Sequence, residues 1–297
     1  MEKKRIRIGT RSSRLAIIQT ELAEQALKVK FPDLKIERRR IETQADLDRK
    51  TPLFQFGQTG VFSKELEQAL LLGEIDLAVH SAKDLSVSPP LGLCLSGVLK
   101  RGDVRDVLVY RKGSVSPLQE TDEIMRIGTD SPRRSCQLEK NYAQIRCVSI
   151  RGNVPTRLEK LRSGEYDGVM LAVCGLQRLN MFGLKEFQYH VFSEEEILPA
   201  GGQAIIALET RKDGEAAKMA EAIRDESTFL ELRAEQQVLK LLDAGCHEPI
   251  AVRAKAAQGR IRMTALKAQG EELIRIQQED TEERWEELAK KVAGFLL

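Results

Sequence analysis

The most constraining feature of this sequence is a partial internal repeat. The segment Ile8–Arg14 (IGTRSSR) resembles Ile127–Arg134 (IGTDSPRR), and Gly73–Val79 (GEIDLAV) resembles Gly164–Met170 (GEYDGVM). The first pair links a predicted strand to a predicted helix, and the second pair ends a helix and opens a strand. Because both pairs occur in the same order, we predict two α/β domains of similar design, with the crossover near residues 100–106.

The pattern around the first repeat is that of alternating strands and helices. Apolar spacing predicts strands at Arg5–Thr10, Lys35–Ile41 and Leu77–Val79, with helices at Ser13–Lys30 and Ser63–Leu72. Such an alternation favours a parallel or mixed sheet that is covered by helices.

The later part of the chain changes in style. The segment Ile197–Gln203 (ILPAGGQ) is typical of a hinge, and we expect the strand after it, Ala204–Leu208, to return to the first sheet. Beyond Asp213 a small α+β domain is predicted, with helices at Glu215–Arg224, Ser227–Leu242 and Thr281–Phe295 and strands at Ile250–Ala256, Arg260–Leu266 and Ile274–Gln278. The expected domains are 1–99 with 198–214, then 100–197, then 215–297.

Composition excludes several classes of protein. The net charge is only +2, so the chain lacks the broad basic field of a general nucleic-acid binder. Arginine (27) outnumbers lysine (20), which favours bidentate recognition of carboxylates. No apolar stretch approaches the roughly 18 residues of a membrane span, and the N-terminus shows no apolar signal segment. We therefore expect a cytoplasmic protein that binds neither membrane nor nucleic acid.

Arginines cluster where predicted strands give way to helices. Arg11, Arg133 and Arg134 lie beside the two Gly-Thr-x-Ser segments, and Arg151 and Arg157 flank a third turn of this kind. Ligands of open α/β sheets bind beyond the carboxyl ends of strands, where helix N-termini favour anions. A single arginine there is most simply a solvated charge, but the set predicts a cleft for a ligand with several carboxylates.

The segment His80–Asp84 (HSAKD) follows a predicted buried strand. Asp84 is a candidate acid–base residue because it stands beside Lys83 at a strand end, although it could equally be an ordinary helix cap. We expect His80 to be packed or hydrogen-bonded rather than catalytic.

Cys246 is the one cysteine of five in a predicted loop, 243–249 (DAGCHEP). Such a thiol can be a nucleophile, an attachment site or incidental, and from its surroundings alone incidental is favoured. Cys246 and His247 are too isolated for a zinc pattern, and no metal is expected. The other cysteines are predicted to be inert, buried thiols on strands and helices, namely Cys94, Cys136, Cys147 and Cys174.

Taken together and in order, these segments resemble the porphobilinogen deaminase (hydroxymethylbilane synthase) family over nearly the whole chain. The residues that carry the resemblance are Thr10–Ala16, Gly60–Leu66, Asp76–Asp84, Gly128–Arg134, Arg151–Asn153, Leu171–Arg178 and Gly245–Cys246. The resemblance implies two domains like periplasmic binding proteins and a third that carries a dipyrromethane cofactor. It also implies head-to-tail condensation of four porphobilinogen molecules on that primer, with loss of ammonia and hydrolytic release of hydroxymethylbilane, by a monomer.

The resemblance further implies a role for each candidate residue. Cys246 would hold the cofactor through a thioether, and Asp84 would be the catalytic acid–base group. The remaining cofactor contacts would come from Ser81, Lys83, Asp84, Thr129, Ser131, Arg133, Arg134 and Arg157, and the substrate contacts from Arg11, Ser13, Arg151, Arg157 and Arg178.

Departures from the family pattern indicate where this chain differs from its relatives. Gln55 and Thr59 stand where lysines are usual, Gln44-Ala45 where Arg-Gly is frequent, and Ala204 where a glycine is usual. Gln55 and Thr59 indicate one alternative function, that of a relative that elongates slowly. The other two alternatives are a non-catalytic two-domain binder of polycarboxylates and an acidic-ligand sensor, for which no helix-turn-helix is visible.

Overall fold

The computed structural model of the protein describes residues 5–43, 63–243, 248–270 and 272–297. The strands are β1 Arg5–Thr10, β2 Lys35–Arg40, β3 Leu77–Ser81, β4 Leu93–Val98, β5 Asp106–Arg111, β6 Met125–Gly128, β7 Ile145–Val148, β8 Gly168–Ala172, β9 Phe187–Val191, β10 Ile206–Arg211, β11 Ile250–Ala257, β12 Arg260–Gln269 and β13 Glu272–Thr281. The helices are α1 Arg14–Lys30, α2 Lys64–Leu71, α3 Pro132–Asn141, α4 Val154–Arg162, α5 Val173–Arg178, α6 Glu215–Ala222, α7 Glu226–Leu241 and α8 Trp285–Gly294, and short 3-10 turns lie at Ala82–Asp84 and Glu282–Arg284.

The first sheet has the strand order β2-β1-β3-β10-β4. Its first three strands are parallel, whereas β10 is antiparallel to both of its neighbours. The predicted return of the chain to this sheet is confirmed, but the strand begins at Ile206 rather than Ala204. Ala204 has a φ of +72°, in the left-handed region, so extended backbone can only start beyond it.

The second sheet repeats the first. Its order is β7-β6-β8-β5-β9, with β6 parallel to β7 and β8 and with β5 antiparallel to β8 and β9. In each sheet a strand that arrives from the other domain lies fourth in the order. The predicted duplication of two α/β domains is therefore confirmed.

Equivalent hydrogen bonds hold equivalent strands in the two sheets. The Arg7 backbone N–H donates to Asp76 Oδ2 at 2.9 Å, and the Arg126 backbone N–H donates to Asp167 Oδ2 at 2.8 Å. Both aspartates belong to the Gly-Glu-x-Asp repeat, so this repeat preserves the connection that aligns the third strand of each sheet beside the second.

The third sheet is a small antiparallel meander, β11-β12-β13. Helices α7 and α8 cover one of its faces, and Val252 and Ile261 pack there against Val238 and Val292. The predicted α+β character is confirmed. The final helix begins at Trp285 rather than Thr281 because β13 remains paired with β12 as far as Thr281.

Helix α6 bears on the boundary of the third domain. Ala216, Met219 and Ala220 on this helix pack in one cluster with Ile6 and Ile8 of β1, so α6 covers the first sheet. We propose that the first domain extends through α6 and that the third domain begins with α7, a revision of the expected boundary at residue 215.

Candidate active site

A pocket opens in the first domain where β1 and β3 end side by side. These strands are parallel neighbours, with Ile8 opposite Leu77, so both of their carboxyl ends reach the same edge of the sheet. The side chains that line the pocket include Arg11, Ser13, Gln19, His80, Ser81 and Asp84. The first domain thus brings its predicted arginine, its serines and Asp84 together.

Asp84 ends the 3-10 turn that follows β3 directly. Residues Leu77–His80 of this strand are buried, whereas Asp84 itself is partly exposed. The predicted placement of Asp84 after a buried strand is confirmed. A rigid strand thus presents a carboxylate at the rim of the pocket, as an acid–base group requires.

Hydrogen bonds fix the helix start beside the strand end. The Ser13 side chain accepts a hydrogen bond from the Ala16 N–H at 3.2 Å and so caps α1. The Gln19 amide meets Ser81 Oγ at 2.9 Å. Because Gln19 is only 3% exposed, this bond ties α1 firmly to the end of β3.

His80 lines the pocket, but its side chain is almost fully buried. Its Nε2 atom is 3.2 Å from Glu209 Oε2 of β10, and both side chains are buried. Ser63 donates to Glu67 at 2.6 Å nearby, and burial raises the pKa of Glu67, with Glu209 adding to that rise. His80 is therefore a buried, paired side chain, as expected from the sequence.

Lys83 lies where the first domain meets the second. Burial lowers the pKa of its ammonium group, Asp84 raises that pKa, and Arg134 of the second domain lowers it again. Only a cation close to both domains has these neighbours. The hinge between the domains also lies against this residue, since a Cβ atom at Gly202 would be 2.9 Å from the Lys83 nitrogen. Lys83 therefore lies near the junction of the two domains.

Thr129 and Ser131 occupy the equivalent strand end in the second domain. Thr129 is buried, and its backbone N–H donates to the Val148 carbonyl at 2.9 Å. The Ser131 backbone N–H donates to Thr129 Oγ1 at 3.2 Å, immediately before α3 begins. These two residues shape a helix N-terminus that can favour an anion.

Arg133 and Arg134 differ from the expectation of open, ligand-facing cations. Arg133 Nη1 lies 2.7 Å from Asp106 Oδ2 and donates to the Leu198 carbonyl, while Arg134 donates to Asp106 Oδ1 at 2.7 Å. Their side chains are only 5% and 8% exposed, and that of Asp106 is fully buried. Buried carboxylates need cationic partners, so both arginines are already engaged within the protein.

Arg151 and Arg157 are the more available cations of the second domain. Arg157 Nε donates to the Gly152 carbonyl at 2.8 Å, and burial lowers the pKa of its guanidinium, with Arg134 and Arg151 also lowering it. Among the described residues, Arg151 Nε is a buried nitrogen without a hydrogen-bond partner. An orphaned donor beside other cations is suited to a carboxylate that comes from outside the chain.

Arg178 lies at the hinge instead of beside Arg11. Its Nη2 atom donates to the Ala204 carbonyl at 2.6 Å, and burial lowers the pKa of its guanidinium. It lines a second, more apolar depression together with Leu22 and Lys100. The structure therefore separates Arg178 from the pocket around Asp84.

Sequence reasoning missed three residues that support the site. Asp106 receives two arginines, Gln203 donates to Asp106 at 3.0 Å, and Gln19 holds Ser81. Gln19 could have been found, because it falls on the apolar stripe of α1 where a polar residue needs a partner. Asp106 gave no such signal, because its partners lie far away in the sequence.

The cysteines fall on the predicted elements: Cys94 on β4, Cys136 on α3, Cys147 on β7 and Cys174 on α5. Cys174 is buried, but the other three are half-buried rather than fully buried. Burial raises the pKa of Cys147 to about 11, which keeps that thiol protonated and unreactive. Cys246, Gln55, Thr59 and Gln44-Ala45 lie outside the described residues.

The fold and the site define a class of protein. Two duplicated α/β domains meet at Lys83, one with a carboxylate at its strand end and the other with a group of arginines, and a small α+β domain follows. Within the described ranges, no group of side chains could hold a metal ion. No helix found there is long and apolar enough to cross a membrane.

The particular family follows from comparison with known proteins. Residues 6–219 match the family described as porphobilinogen deaminase, dipyromethane cofactor binding domain, and residues 229–297 match the porphobilinogen deaminase C-terminal domain. The chain belongs to the porphobilinogen deaminase family.

Curated relatives agree over most of the chain. The porphobilinogen deaminase of Syntrophomonas wolfei is 39% identical over 262 residues, which cover 88% of this chain and 84% of that protein. The porphobilinogen deaminase of Clostridium novyi is 36% identical over 91% of each chain. A probable porphobilinogen deaminase of Archaeoglobus fulgidus is 39% identical over 86% of this chain and 85% of its own. The expected family is confirmed, and the binder and sensor alternatives are not favoured.

Solved structures give more distant matches. The BvgS periplasmic VFT2 domain of Bordetella pertussis matches with a TM-score of 0.45 and 16% identity, over 75% of this chain and 87% of that one. The periplasmic aliphatic sulphonate binding protein SsuA of Escherichia coli matches with a TM-score of 0.40 and 13% identity, over 80% and 70%. The assignment of the α/β fold rests on the two sheets themselves.

Proposed function

We propose that this protein is a hydroxymethylbilane synthase. It joins four porphobilinogen molecules head to tail on a dipyrromethane primer, with loss of one ammonia at each step, and then releases hydroxymethylbilane by hydrolysis. The observation that carries this proposal is the contact of the hinge with both domains. Gly202 packs against the Ala82–Asp84 turn of the first domain, and the next residue, Gln203, donates a hydrogen bond at 3.0 Å to Asp106, which binds the arginines of the second domain. Family membership specifies the chemistry that this arrangement serves.

The residues present suit a cofactor and a substrate that carry several carboxylates. Each pyrrole unit brings an acetate and a propionate, and the orphaned Arg151 Nε beside Arg157 is a donor for such groups. The primer supplies a nucleophilic pyrrole carbon at which the chain grows. We propose that Cys246, which follows α7 in the sequence, holds it through a thioether.

The first-domain pocket would receive the incoming porphobilinogen. Arg11 and Ser13 line this pocket with Asp84, and they would orient the substrate carboxylates so that its aminomethyl group faces Asp84. Arg151 and Arg157 would hold carboxylates from the opposite domain. Positioning of two reactants in this way accounts for much of the rate of a condensation. Because Arg178 is held by Ala204 at the hinge, we propose that it meets a substrate carboxylate only at the edge of the site.

The contacts to the cofactor are divided between the two domains. Ser81, Lys83 and Asp84 come from the end of β3, and Thr129 and Ser131 from the start of α3. Arg133 and Arg134, which are bound to Asp106, would contribute mainly through their positive field, with only the exposed margin of each side chain open to a carboxylate.

Asp84 would manage the protons of each addition. In each addition the substrate would lose its amino group as ammonia, and the primer would supply the pyrrole carbon to which the freed methylene carbon becomes bonded. The Asp84 carboxyl would donate a proton to the departing amine and, as a carboxylate, stabilise the positive charge on the pyrrole. It would then accept the proton that the attacked ring carbon loses, which returns the site to its starting state.

Intact-mass spectrometry tests the proposal. We expect the purified protein from a porphobilinogen-producing host to carry a dipyrromethane, and we expect Cys246→Ser to lack it. Cys147→Ser, at a half-buried thiol of raised pKa, is the matched control and should load normally. An unmodified wild-type chain that gains no mass after incubation with porphobilinogen would contradict the enzyme assignment, and a loaded Cys246→Ser would move the attachment site.

We also propose that the enzyme acts as a cytoplasmic monomer, as the resemblance to its family implies. Light scattering coupled to size-exclusion chromatography should give the mass of one 33.4 kDa chain. A stable dimer mass would refute the monomer.

A further inference from the structure

A buried cluster of charges joins the third domain to the other two. Arg101 lies in the segment between β4 and β5, Glu231 and Glu235 lie on α7, and Arg253 lies on β11. Arg101 Nη1 is 2.7 Å from Glu235 Oε1 and 3.1 Å from Glu231 Oε2, and Arg253 Nη1 is 2.8 Å from Glu231 Oε2. All four side chains are at most 11% exposed. We call these four residues the interdomain ion cluster.

Glu235 is the member of this cluster that forms a hydrogen bond to the hinge directly. Its Oε2 atom accepts a hydrogen bond from the Gly202 backbone N–H at 2.6 Å, and its Oε1 atom accepts one from the Ala254 N–H at 2.9 Å. The Glu235 side chain is fully buried. One carboxylate therefore holds the hinge loop at Gly202 against α7, the helix that precedes Cys246 in the sequence.

The hinge loop in turn packs on the turn that carries Asp84. A Cβ atom at Gly202 would lie only 2.9 Å from the Ala82 carbonyl carbon and 2.9 Å from the Lys83 nitrogen. Gly202 also has a φ of +73°, in the left-handed region. The Ala82 N–H donates to the Ile205 carbonyl at 3.0 Å, so a second backbone contact holds the turn against the segment that follows Gly202. No side chain separates the hinge backbone from the backbone of the Ala82–Asp84 turn.

We propose that Glu235 is a positioning residue for the condensation reaction. Through Gly202, its carboxylate sets the place of the turn that presents Lys83 and Asp84, so a residue of the third domain adjusts the acid–base group of the first. The inference rests on the proposed role of Asp84. It gives Glu235 a function beyond holding domains together, because its neighbour Glu231 has the cluster contacts without the bond to Gly202.

Glu231 provides the matched control within the same helix. Its carboxylate accepts hydrogen bonds from Arg101, Arg253 and the Ala256 N–H, and it reaches the hinge loop through Arg101 rather than directly. Glu231→Gln and Glu235→Gln each remove one charge from the interdomain ion cluster. They differ in the direct bond to Gly202, so a role confined to domain cohesion predicts similar kinetics for the two variants.

The test compares the holoenzymes of the wild type, Glu235→Gln and Glu231→Gln, after mass spectrometry has shown equal cofactor content. We expect Glu235→Gln to lower kcat for porphobilinogen consumption about tenfold, since small misplacements of reacting groups have large effects on rate. Its KM should stay near the wild-type value, and Glu231→Gln should keep a near-wild-type kcat. Equal losses of kcat in the two variants, or a wild-type kcat in Glu235→Gln, would overturn the proposal.

Two further variants keep the outcome decisive. If Glu235→Gln yields no folded holoenzyme, Gly202→Ala presses on the same turn and leaves the interdomain ion cluster intact. It should lower kcat at unchanged KM, and a wild-type kcat for Gly202→Ala would refute the proposed route through Gly202. Asp84→Asn separates this inference from its premise, because a fully active Asp84→Asn enzyme contradicts the role of Asp84 itself.

Discussion

Replacing Asp106 by asparagine removes the charge on which two buried arginines depend. The Asp106 side chain is fully buried, and Arg133 and Arg134 each approach it within 2.7 Å. Asparagine has nearly the same volume and can still accept one hydrogen bond, but it leaves two guanidinium groups without a counter-charge. Breaking a buried ion pair from one side typically costs about 3–5 kcal/mol. Because the amide keeps part of the hydrogen bonding, we expect a loss of about 3 kcal/mol in the free energy of unfolding.

Equilibrium unfolding in urea, followed by far-ultraviolet circular dichroism, measures this loss. Asp103→Asn is the matched control, since Asp103 pairs with Arg105, whose side chain is 47% exposed, at the start of the same segment. A pair of this kind contributes at most about 1 kcal/mol, so the control should stay close to the wild type. If Asp106→Asn loses no more stability than Asp103→Asn, the buried arginines do not depend on Asp106 and the reasoning is refuted.

The pH dependence gives a second check with a defined sign. Burial raises the pKa of Asp106, but Arg133 and Arg134 outweigh it and hold the pKa well below its usual value of about 3.8. A carboxyl with a depressed folded-state pKa stabilises the protein fully above its unfolded pKa, and this contribution is lost as the pH falls through the folded value. The stability difference between wild type and Asp106→Asn should therefore be constant from about pH 7 to 5 and narrow only in stronger acid. A difference that shrinks already near pH 6 would contradict the ion-pair explanation.

Two further predictions concern activity. Asp84→Asn should keep the cofactor but lower kcat about a hundredfold or more, because the amide cannot exchange protons with the amine and the pyrrole. Asp33→Asn, at an exposed position, is the control. A near-wild-type rate for Asp84→Asn would contradict the acid–base role. Arg157→Gln should raise KM for porphobilinogen about tenfold through loss of a charge-assisted contact. Arg146, whose exposed guanidinium donates to the Ala143 carbonyl, is the control, and Arg146→Gln should leave KM unchanged. An unchanged KM in Arg157→Gln would show that Arg157 does not bind the substrate.

The sequence predicted those parts of the structure that depend on local pattern. The predicted bounds of β1 agree with the observed ones to the residue, and the two repeated segments correctly predicted two sheets of similar design. Asp84 was placed correctly because a buried strand followed by polar residues is a local signal. Partner choice was not predictable in the same way. The pairing of Asp106 with Arg133 and Arg134 depends on burial and on the path of the strand that crosses from one domain to the other. The spacing of residues along the sequence predicts neither of these.

Two features that the sequence pattern did not specify have the same physical origin. The apolar face of α6 was visible in the sequence, but nothing local says that it covers the first sheet rather than the third. The late start of β10 follows from the left-handed backbone of Ala204, whose carbonyl accepts hydrogen bonds from Arg178 at 2.6 Å and from the Gly102 N–H at 3.3 Å. Tertiary contacts thus override the strand pattern that begins at this alanine.

The duplication also explains why the chemistry is unequally divided between two similar domains. By the register of the repeat, Lys83 and Asp84 correspond to Cys174 and Gly175, and Arg11 corresponds to Asp130. Gly175, the counterpart of Asp84, has no side chain, and Cys174 is buried in an apolar cluster with Val104 and Ala204. The equivalent position of the second domain therefore supplies no carboxylate.

The second domain compensates with cations. Burial lowers the pKa of Arg157, and Arg134 and Arg151 lie close enough to lower it further, whereas Asp130 raises it. Asp106 pairs with Arg134 at 2.7 Å inside the protein, and Asp130 raises the pKa of Arg157. We propose that one fold serves two purposes in this chain, the presentation of an acid–base group by the first domain and the binding of carboxylates by the second. A polyanion that grows by proton-dependent additions would need both, and the hinge loop that contains Gly202 connects the two domains along the chain, between β9 and β10.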